Sequence, residues 1–193
     1  MNTFPIILAS ASPRREKLIK QIGLKFTVEP SQVVEDFSLQ LPPPQFARYY
    51  AEKKAAEIAS LHPSALVIGA DTIVVVDDDI LGKPKNKTDS FNMLSKLSGR
   101  SHTVITGVAL RWTNEKVIDT FHETTVVTFN TLSNNDISYY IDTYNPLDKA
   151  GSYGIQDWFS VCINKIEGCF YNVVGLPLSS LYQHLKKIDQ FNR

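Results

Sequence analysis

Residues 4–15 place two arginines at the junction of a strand and a helix: the apolar run Phe4-Pro5-Ile6-Ile7-Leu8-Ala9 is followed directly by Ser10-Ala11-Ser12-Pro13-Arg14-Arg15. The run predicts a strand, and Pro13 suits the first helical position, where its missing N–H is no loss. Ser12 is placed to cap the free N–H groups of the first turn. Arg14 and Arg15 oppose the helix dipole unless a negative group lies beside them, so the segment predicts an anion-binding junction.

The rest of the chain alternates strands and helices, which predicts an α/β or α+β fold with a mixed, twisted sheet and flanking helices. Caps are predicted at Thr88 and Ser133, and turns at Asp77-Asp78-Asp79, near Thr113-Asn114-Glu115 and at Glu167-Gly168. The predicted strands are residues 4–9, 26–28, 66–70, 72–76, 102–112, 117–129, 161–166 and 169–174, and the predicted helices are 13–22, 45–61, 88–97, 133–143 and 177–188.

Composition limits the classes of protein that this chain can belong to. Its 193 residues, 43% of them hydrophobic, can form one domain or two small lobes around a cleft. Twenty basic residues balance twenty acidic ones, which disfavours nucleic-acid and membrane partners, so a bound phosphate needs a local cluster of cations. No apolar stretch approaches the roughly 20 residues of a membrane span.

Two further features bear on location. Met1-Asn2-Thr3 lacks the charged start and long apolar run of a secretory signal, so we expect a cytoplasmic protein. Cys162 and Cys169 form no Cys-x-x-Cys motif, and a hairpin at Glu167-Gly168 would not place them opposite each other, so we expect two buried free thiols.

Asp71 is the first candidate for chemistry, because it emerges from the apolar strand Leu66-Val67-Ile68-Gly69-Ala70. Ligand sites in α/β sheets lie at such strand ends, and a carboxylate there can accept a proton from water, hold a divalent cation, or do both. Capping of a neighbouring turn is the alternative, and the residues alone leave it open. The long segment 144–156, with few periodic features, is a second candidate for function.

The segment Leu8 to Arg15 resembles the opening signature of the Maf family, nucleoside triphosphate pyrophosphatases once described as septum-formation inhibitors. The resemblance covers nearly the whole chain in order, and it implies a single Maf-like domain over residues 1–193 with the two-lobed fold of inosine triphosphate pyrophosphatases. The further matching segments are Glu52-Lys53, Gly69-Ala70-Asp71-Thr72, Gly82-Lys83-Pro84, Leu97-Ser98-Gly99, Pro146 to Gln156 and Val174-Gly175-Leu176-Pro177.

The resemblance also implies roles for individual residues. Asp71 matches the catalytic proton acceptor. From the residues themselves, Glu35 is a candidate second ligand, with Asp71, for a divalent cation, Mg²⁺ or Mn²⁺. Glu35 and its neighbour Asp36 have an ordinary alternative as surface acids. Lys53 lies beside Lys54 in a helix, where solvent exposure is the default, and only the family match singles it out. The expected substrate-binding residues are Ser10, Arg14, Arg15, Lys53, Thr72, Lys83, Lys149 and Gln156.

Gln156 can pair with the base edge of uracil or thymine, although guanine presents a similar edge. Gly154-Ile155-Gln156 resembles the branch of the family that acts on dTTP and UTP, whose specificity positions map to Arg14, Thr72 and Gln156. The chain departs from that branch at Asp157-Trp158, where a glycine usually follows the glutamine.

The resulting hypothesis is a pyrophosphatase that converts dTTP and UTP to the monophosphate and pyrophosphate, with modified pyrimidine nucleotides as further candidate substrates. One alternative is a non-catalytic, nucleotide-binding regulator of cell division and septum formation, which needs the cations but not Asp71. A second alternative is a single-stranded nucleic-acid binder that uses the eight tyrosines, which the neutral net charge disfavours. A homodimer is compatible with the sequence, which does not decide the oligomeric state.

Overall fold

Seven strands form one mixed sheet in the computed structural model, which describes residues 4–191. The strands are β1 (Ile6–Leu8), β2 (Thr27–Val28), β3 (Leu66–Val76), β4 (Asp79–Leu81), β5 (Ser101–Trp112), β6 (Val117–Phe129) and β7 (Ile163–Glu167). The α-helices are α1 (Pro13–Gln21), α2 (Pro43–Leu61), α3 (Lys87–Leu97), α4 (Asn134–Tyr144), α5 (Phe170–Val174) and α6 (Leu178–Leu185), and short 3₁₀ helices cover Pro146–Asp148, Ala150–Ser152 and Trp158–Cys162.

The sheet runs in the order β2-β1-β3-β5-β6-β7, with β4 paired to the same edge of β3 that β1 occupies. β1 is parallel to β2 and β3, and all other pairs are antiparallel. The predicted class, a mixed sheet with flanking helices, is confirmed. No helix among residues 4–191 is both long and apolar enough to cross a membrane.

A gap in strand pairing lies in the middle of β3. The β1 ladder ends at the pair Leu8–Ile68, and the β4 ladder begins at the pair Val74–Leu81. Between these two ladders, this edge of β3 has no strand partner in the described part of the chain. Asp71 lies in the gap, and its other neighbour, Gly107 of β5, keeps the strand regular there.

Helix α2 packs directly on the sheet backbone, because two glycines remove the side chains that would hold it away. A Cβ built on Gly69 would lie 2.3 Å from the carbonyl oxygen of Ala51, and one on Gly107 would lie 2.3 Å from that of Ala47. Ala47, Ala51 and Ala55 are fully buried at this contact. The alanine stripe and the two glycines therefore set the distance between the helix and β3.

The opposite face of the sheet is covered in two parts, which form the two lobes. Near one end, Leu66, Ile68 and Ala70 pack with α1 and α6. Near the other end, Val74 and Val76 pack with α3 and α4. The predicted cleft between two lobes is present, and it opens at the gap in β3.

Several local predictions were correct. The β3–β4 turn contains Asp77 and Asp78 with φ of 51° and 66°, as a two-residue hairpin requires. Ser133 caps α4 in a full capping box with Asp136. Cys162 and Cys169 are both free thiols, but only Cys162 is buried, since Cys169 is half-buried.

Other local predictions were wrong. Residues 66–76 form one strand rather than two, because Asp71 and Thr72 stay paired with β5. Ser12 makes no side-chain cap, and Asn86 rather than Thr88 caps α3. Residues 169–174 form α5 instead of a strand, and the buried side chain of Asn172 fixes this helix by three hydrogen bonds to β5 and β6. Met1-Asn2-Thr3 lies outside the described residues.

The helix–sheet contact generates a stability prediction. Gly107→Ala places a methyl group against the backbone of α2, which has no rotamer that avoids it, so we expect a loss of about 3 kcal/mol in the free energy of unfolding. Urea denaturation measures this loss. Gly82→Ala is the matched control, because its methyl group meets only the half-exposed Phe37 ring, and we expect it to cost less than about 1 kcal/mol. Equal costs at the two positions would contradict the prediction.

Candidate functional site

The cleft has a volume of about 390 Å³, within the usual range for small-molecule sites. Its walls come from the junction after β1, the gap in β3, the loop after β4 and the segment before β7. The cleft is lined by Ser10, Arg14, Arg15, Glu35, Asp71, Thr72, Lys83, Lys149 and Gln156, which are nine of the ten residues predicted for the site, and also by Lys54 and Asp148.

Arg15 ties three parts of the cleft together. Its Nε donates to the Gly175 carbonyl at 2.8 Å, its Nη1 to Ser10 Oγ at 3.1 Å, and its Nη2 to Thr72 Oγ1 at 2.9 Å. Burial lowers the pKa of Arg15 and the nearby Asp71 carboxylate opposes this, but a guanidinium remains charged at any physiological pH. The arginine therefore brings a fixed positive charge into the cleft and orients Ser10 and Thr72 beside it.

Arg14 and Lys149 share a single carboxylate. Arg14 Nη1 lies 2.8 Å from Asp148 Oδ2, and Lys149 Nζ lies 2.7 Å from Asp148 Oδ1. Partial burial raises the pKa of Asp148, but hydrogen bonds from Lys149 and Arg14 outweigh this and lower it overall. The two cations come from distant parts of the chain, so Asp148 holds them together as an anionic ligand would.

Lys54 joins the two acids of the cleft, Glu35 and Asp71. Lys54 Nζ lies 2.5 Å from Glu35 Oε1 and 2.7 Å from Asp71 Oδ1. Burial raises the pKa of Asp71, and Lys54 opposes this only in part. Burial also acts to raise the pKa of Glu35, but Lys54 and a hydrogen bond with Asp71 lower it overall. The pKa values of the two acids therefore shift in opposite directions. Glu35 keeps its negative charge more readily, and Asp71 is the stronger base.

The loop that carries Glu35 is attached to α2 at two further points. The Tyr50 hydroxyl accepts from the Asp36 N–H at 2.6 Å, and the Glu57 carboxylate accepts from the Gln32 N–H at 3.0 Å. Ser31 also donates to Glu57. Because α2 supplies Lys54 as well, one helix positions both the acid and its cation.

The structure does not bring Lys53 into the cleft. Lys53 is exposed, and its Nζ lies 4.6 Å from the centre of the Tyr49 ring. The cleft lysine is its neighbour Lys54, which sequence reasoning missed because the family resemblance singled out the pair Glu52-Lys53. Helical periodicity was the signal that could have found it, since Lys54 lies three residues after Ala51 and seven after Ala47, on the side of α2 that faces the sheet.

Lys83 and Gln156 lie at the mouth of the cleft with exposed side chains. The Gly82 carbonyl accepts from the Gly151 N–H at 3.0 Å, which joins the loop of Lys83 to the segment before Gln156. The prediction that the segment 144–156 has a functional position is supported by this placement, since residues 148–150 and 153–156 line the cleft.

A divalent cation fits the acids of this cleft. Asp71 Oδ2 is buried without a hydrogen-bond partner in the described residues, and Glu35 contacts the same Lys54 Nζ as Asp71 does. Mg²⁺ and Mn²⁺ prefer oxygen ligands, and Mg²⁺ commonly uses only one or two carboxylates when phosphate and water complete the shell. Residues 4–191 contain no group of three or more His, Cys, Asp and Glu side chains that could hold a metal, so substrate oxygens would have to contribute.

Comparisons of the sequence and of the structure with known proteins all find similar proteins. A family model described as Maf-like protein matches residues 5–188. A dTTP/UTP pyrophosphatase from Desulforamulus reducens is 47% identical over 94% of this chain and 95% of the relative, and one from Bacillus pumilus is 46% identical over 94% and 95%. A solved HAM1 protein from Coxiella burnetii has a TM-score of 0.50 at 14% identity over 96% of this chain and 100% of that chain, which shows a shared fold.

The shared lysine generates a pH-dependent stability prediction. In Lys54→Met both acids lose their cation, so their pKa values in the folded state rise above the unfolded values. A raised carboxyl pKa stabilises the folded state at low pH, and this stabilisation is lost as the pH rises through the folded-state pKa. We expect a loss in unfolding free energy of about 3 kcal/mol at pH 8 and a clearly smaller loss at pH 5.

Urea denaturation of wild type and variant at the two pH values checks this prediction. Lys53→Met is the matched control, because the exposed neighbour should change stability by less than about 0.5 kcal/mol at either pH. A pH-independent loss in Lys54→Met, or an equal loss in Lys53→Met, would show that Lys54 does not share its charge with the two acids.

Proposed function

The chain belongs to the Maf family, and we propose that it hydrolyses dTTP and UTP between the α and β phosphates to give the monophosphate and pyrophosphate. The observation that carries this proposal is the convergence of Arg14, Arg15, Lys83 and Lys149 on one cleft with a buried carboxyl group. A triphosphate needs cations along its length, and a hydrolase also needs a base for water.

The cations divide into two groups by their surroundings. Arg15 is held by Gly175, Ser10 and Thr72, so it presents a rigid charge to the phosphate chain. Arg14 and Lys149 are free to exchange the half-exposed Asp148 for phosphate oxygens, which carry more charge. Lys83 is exposed at the cleft mouth and supplies a mobile charge. We assign Arg15 to orienting the phosphate chain. We assign Arg14, Lys149 and Lys83 to stabilising negative charge on the departing pyrophosphate.

Asp71 is assigned as the base. Burial raises the pKa of Asp71, so its carboxylate is better able to take a proton from the attacking water than an exposed one would be. The water oxygen forms a new bond to the α-phosphorus as the bond from that phosphorus to the α–β bridging oxygen breaks. Pyrophosphate leaves with the bridging oxygen, and the water proton passes to Asp71. Lys54 holds Asp71 in place and, because it also contacts Glu35, offsets the repulsion between the two acids.

We propose that Asp71 and Glu35 hold the divalent cation, Mg²⁺ or Mn²⁺. When bound, the cation would neutralise charge on phosphate oxygens and so make the phosphorus atom easier for water to attack. Its ligands on the protein would be carboxylate oxygens, of which Asp71 Oδ2 is already buried and unpartnered within the described residues.

Base choice is assigned to Gln156, with Arg14 and Thr72 lining the same cleft. The Gln156 amide can accept from the N3–H of uracil or thymine and donate to O4.

The chain is further proposed to be one Maf-like domain over residues 1–193. A cytoplasmic location is proposed because both cysteines are free thiols.

A panel of purified nucleoside triphosphates tests this function. We expect pyrophosphate release from dTTP and UTP in the presence of Mg²⁺ or Mn²⁺, slower release from purine nucleotides, and loss of turnover on chelation with EDTA. Release of inorganic phosphate instead of pyrophosphate, or equal rates with all bases, would contradict the assigned reaction or base choice.

Asp71→Asn separates an enzyme from a nucleotide-binding regulator. It removes the proton acceptor but leaves the cations, so we expect kcat to fall about 100- to 10,000-fold while nucleotide still binds. Calorimetry measures binding, and pyrophosphate release measures turnover. The control is Asp142→Asn, an exposed acid on α4 that pairs with Lys87. If wild type and Asp71→Asn release pyrophosphate at the same background rate, the regulator is favoured.

A further inference from the structure

The turn that carries Gln156 is closed by a backbone hydrogen bond and by side-chain hydrogen bonds that involve Tyr140 of α4. The Asp157 N–H donates to the Gly154 carbonyl at 3.4 Å, so Ile155 and Gln156 occupy the two central positions of a four-residue turn. Ile155 is buried in the core beside α1 and α6, while Gln156 is exposed at the cleft. Because the Gln156 side chain makes no hydrogen bond within the described residues, its position depends on the backbone of this turn.

Tyr140 of α4 holds both ends of the turn with one hydroxyl group. The hydroxyl accepts from the Gly154 N–H at 2.9 Å and donates to Asp157 Oδ2 at 3.1 Å. Burial and the nearby Asp157 carboxylate raise the pKa of Tyr140, so the hydroxyl keeps its proton and remains a donor. Tyr140 is fully buried and packs between Trp158 and Phe159, which leaves the hydroxyl little freedom to move.

Asp157 extends the same attachment to the following segment. Its Oδ1 accepts from the Phe159 N–H at 3.0 Å and so caps the 3₁₀ helix Trp158–Cys162. Its backbone, with φ of −105°, needs no glycine. The residue that departs from the family pattern therefore fits the turn without strain and adds two hydrogen bonds that a glycine could not make.

We propose that Tyr140 and Asp157 are positioning residues that set base discrimination, by fixing the turn from which Gln156 reads the base edge. This inference rests on the proposed function, because it assumes that the cleft binds a nucleotide base at Gln156. Removal of the Tyr140 hydroxyl frees the Gly154–Asp157 turn but leaves the contacts of Arg15 and Asp71 intact. Lys149 is the phosphate cation nearest to the turn, since its side chain lies beside Gly154.

Comparison of UTP and CTP tests the proposal, since the two differ only at the base edge that Gln156 would read. In Tyr140→Phe we expect the ratio of kcat/KM for UTP to that for CTP to fall about tenfold, mainly through a higher KM for UTP, with little change in kcat. Asp157→Ala should give a similar fall, and the double variant should be no worse than the poorer single variant, because both changes release one turn. Asp157→Asn retains an acceptor for Phe159 and should recover part of the ratio.

Tyr139→Phe is the matched control, because Tyr139 also contacts the Trp158 ring but makes no hydrogen bond to the turn within the described residues. Thermal denaturation monitors folding of every variant, and the Asp157 variants decide the question if Tyr140→Phe does not fold. An unchanged UTP/CTP ratio, an equal loss with both nucleotides, or a wild type that does not distinguish them would overturn the inference. A wild type that releases no pyrophosphate from either nucleotide would instead refute the proposed function.

Discussion

The close contact between α2 and the sheet backbone determines the rest of the cleft. Gly69 and Gly107 let the backbone around Ala47 and Ala51 lie against β3 and β5, at a distance that any side chain would prevent. At this distance Lys54 reaches Asp71 in the gap of β3. The same helix holds the loop of Glu35, so the spacing of cation and acids follows from the packing of one helix rather than from the loops around it.

The cleft gathers its charges because the sheet is interrupted there. If β1 and β4 met along β3, the edge beside Asp71 would be covered by backbone, and no ligand could approach it. The gap instead admits side chains from the N-terminal junction, from the loop after β4 and from the segment before β7. The Arg15 side chain donates to the Gly175 carbonyl, and this bond links helix α1 to the turn before helix α6.

Local patterns in the sequence predicted most elements, because their causes are local. Pro13 begins a helix, Ser133 caps one, and β-branched alternation marks β5 and β6. The exceptions depend on distant partners. Residues 169–174 look like a strand, but hydrogen bonds from Asn172 to two other strands impose a helix. The family motif located the cleft but selected Lys53, and only the direction of α2 relative to the sheet identifies Lys54. Asp148 was missed as a partner, since its bond to Arg14 joins residues 134 positions apart.

The bond between Arg15 and Gly175 also has a consequence for biosynthesis. Arg15 leaves the ribosome early, but the carbonyl that orients it is made only when about nine-tenths of the chain has been translated. A nascent chain therefore lacks the finished cleft, and nucleotide can stabilise only the completed polypeptide. The β5–β6 hairpin, by contrast, pairs neighbouring segments and needs no ligand.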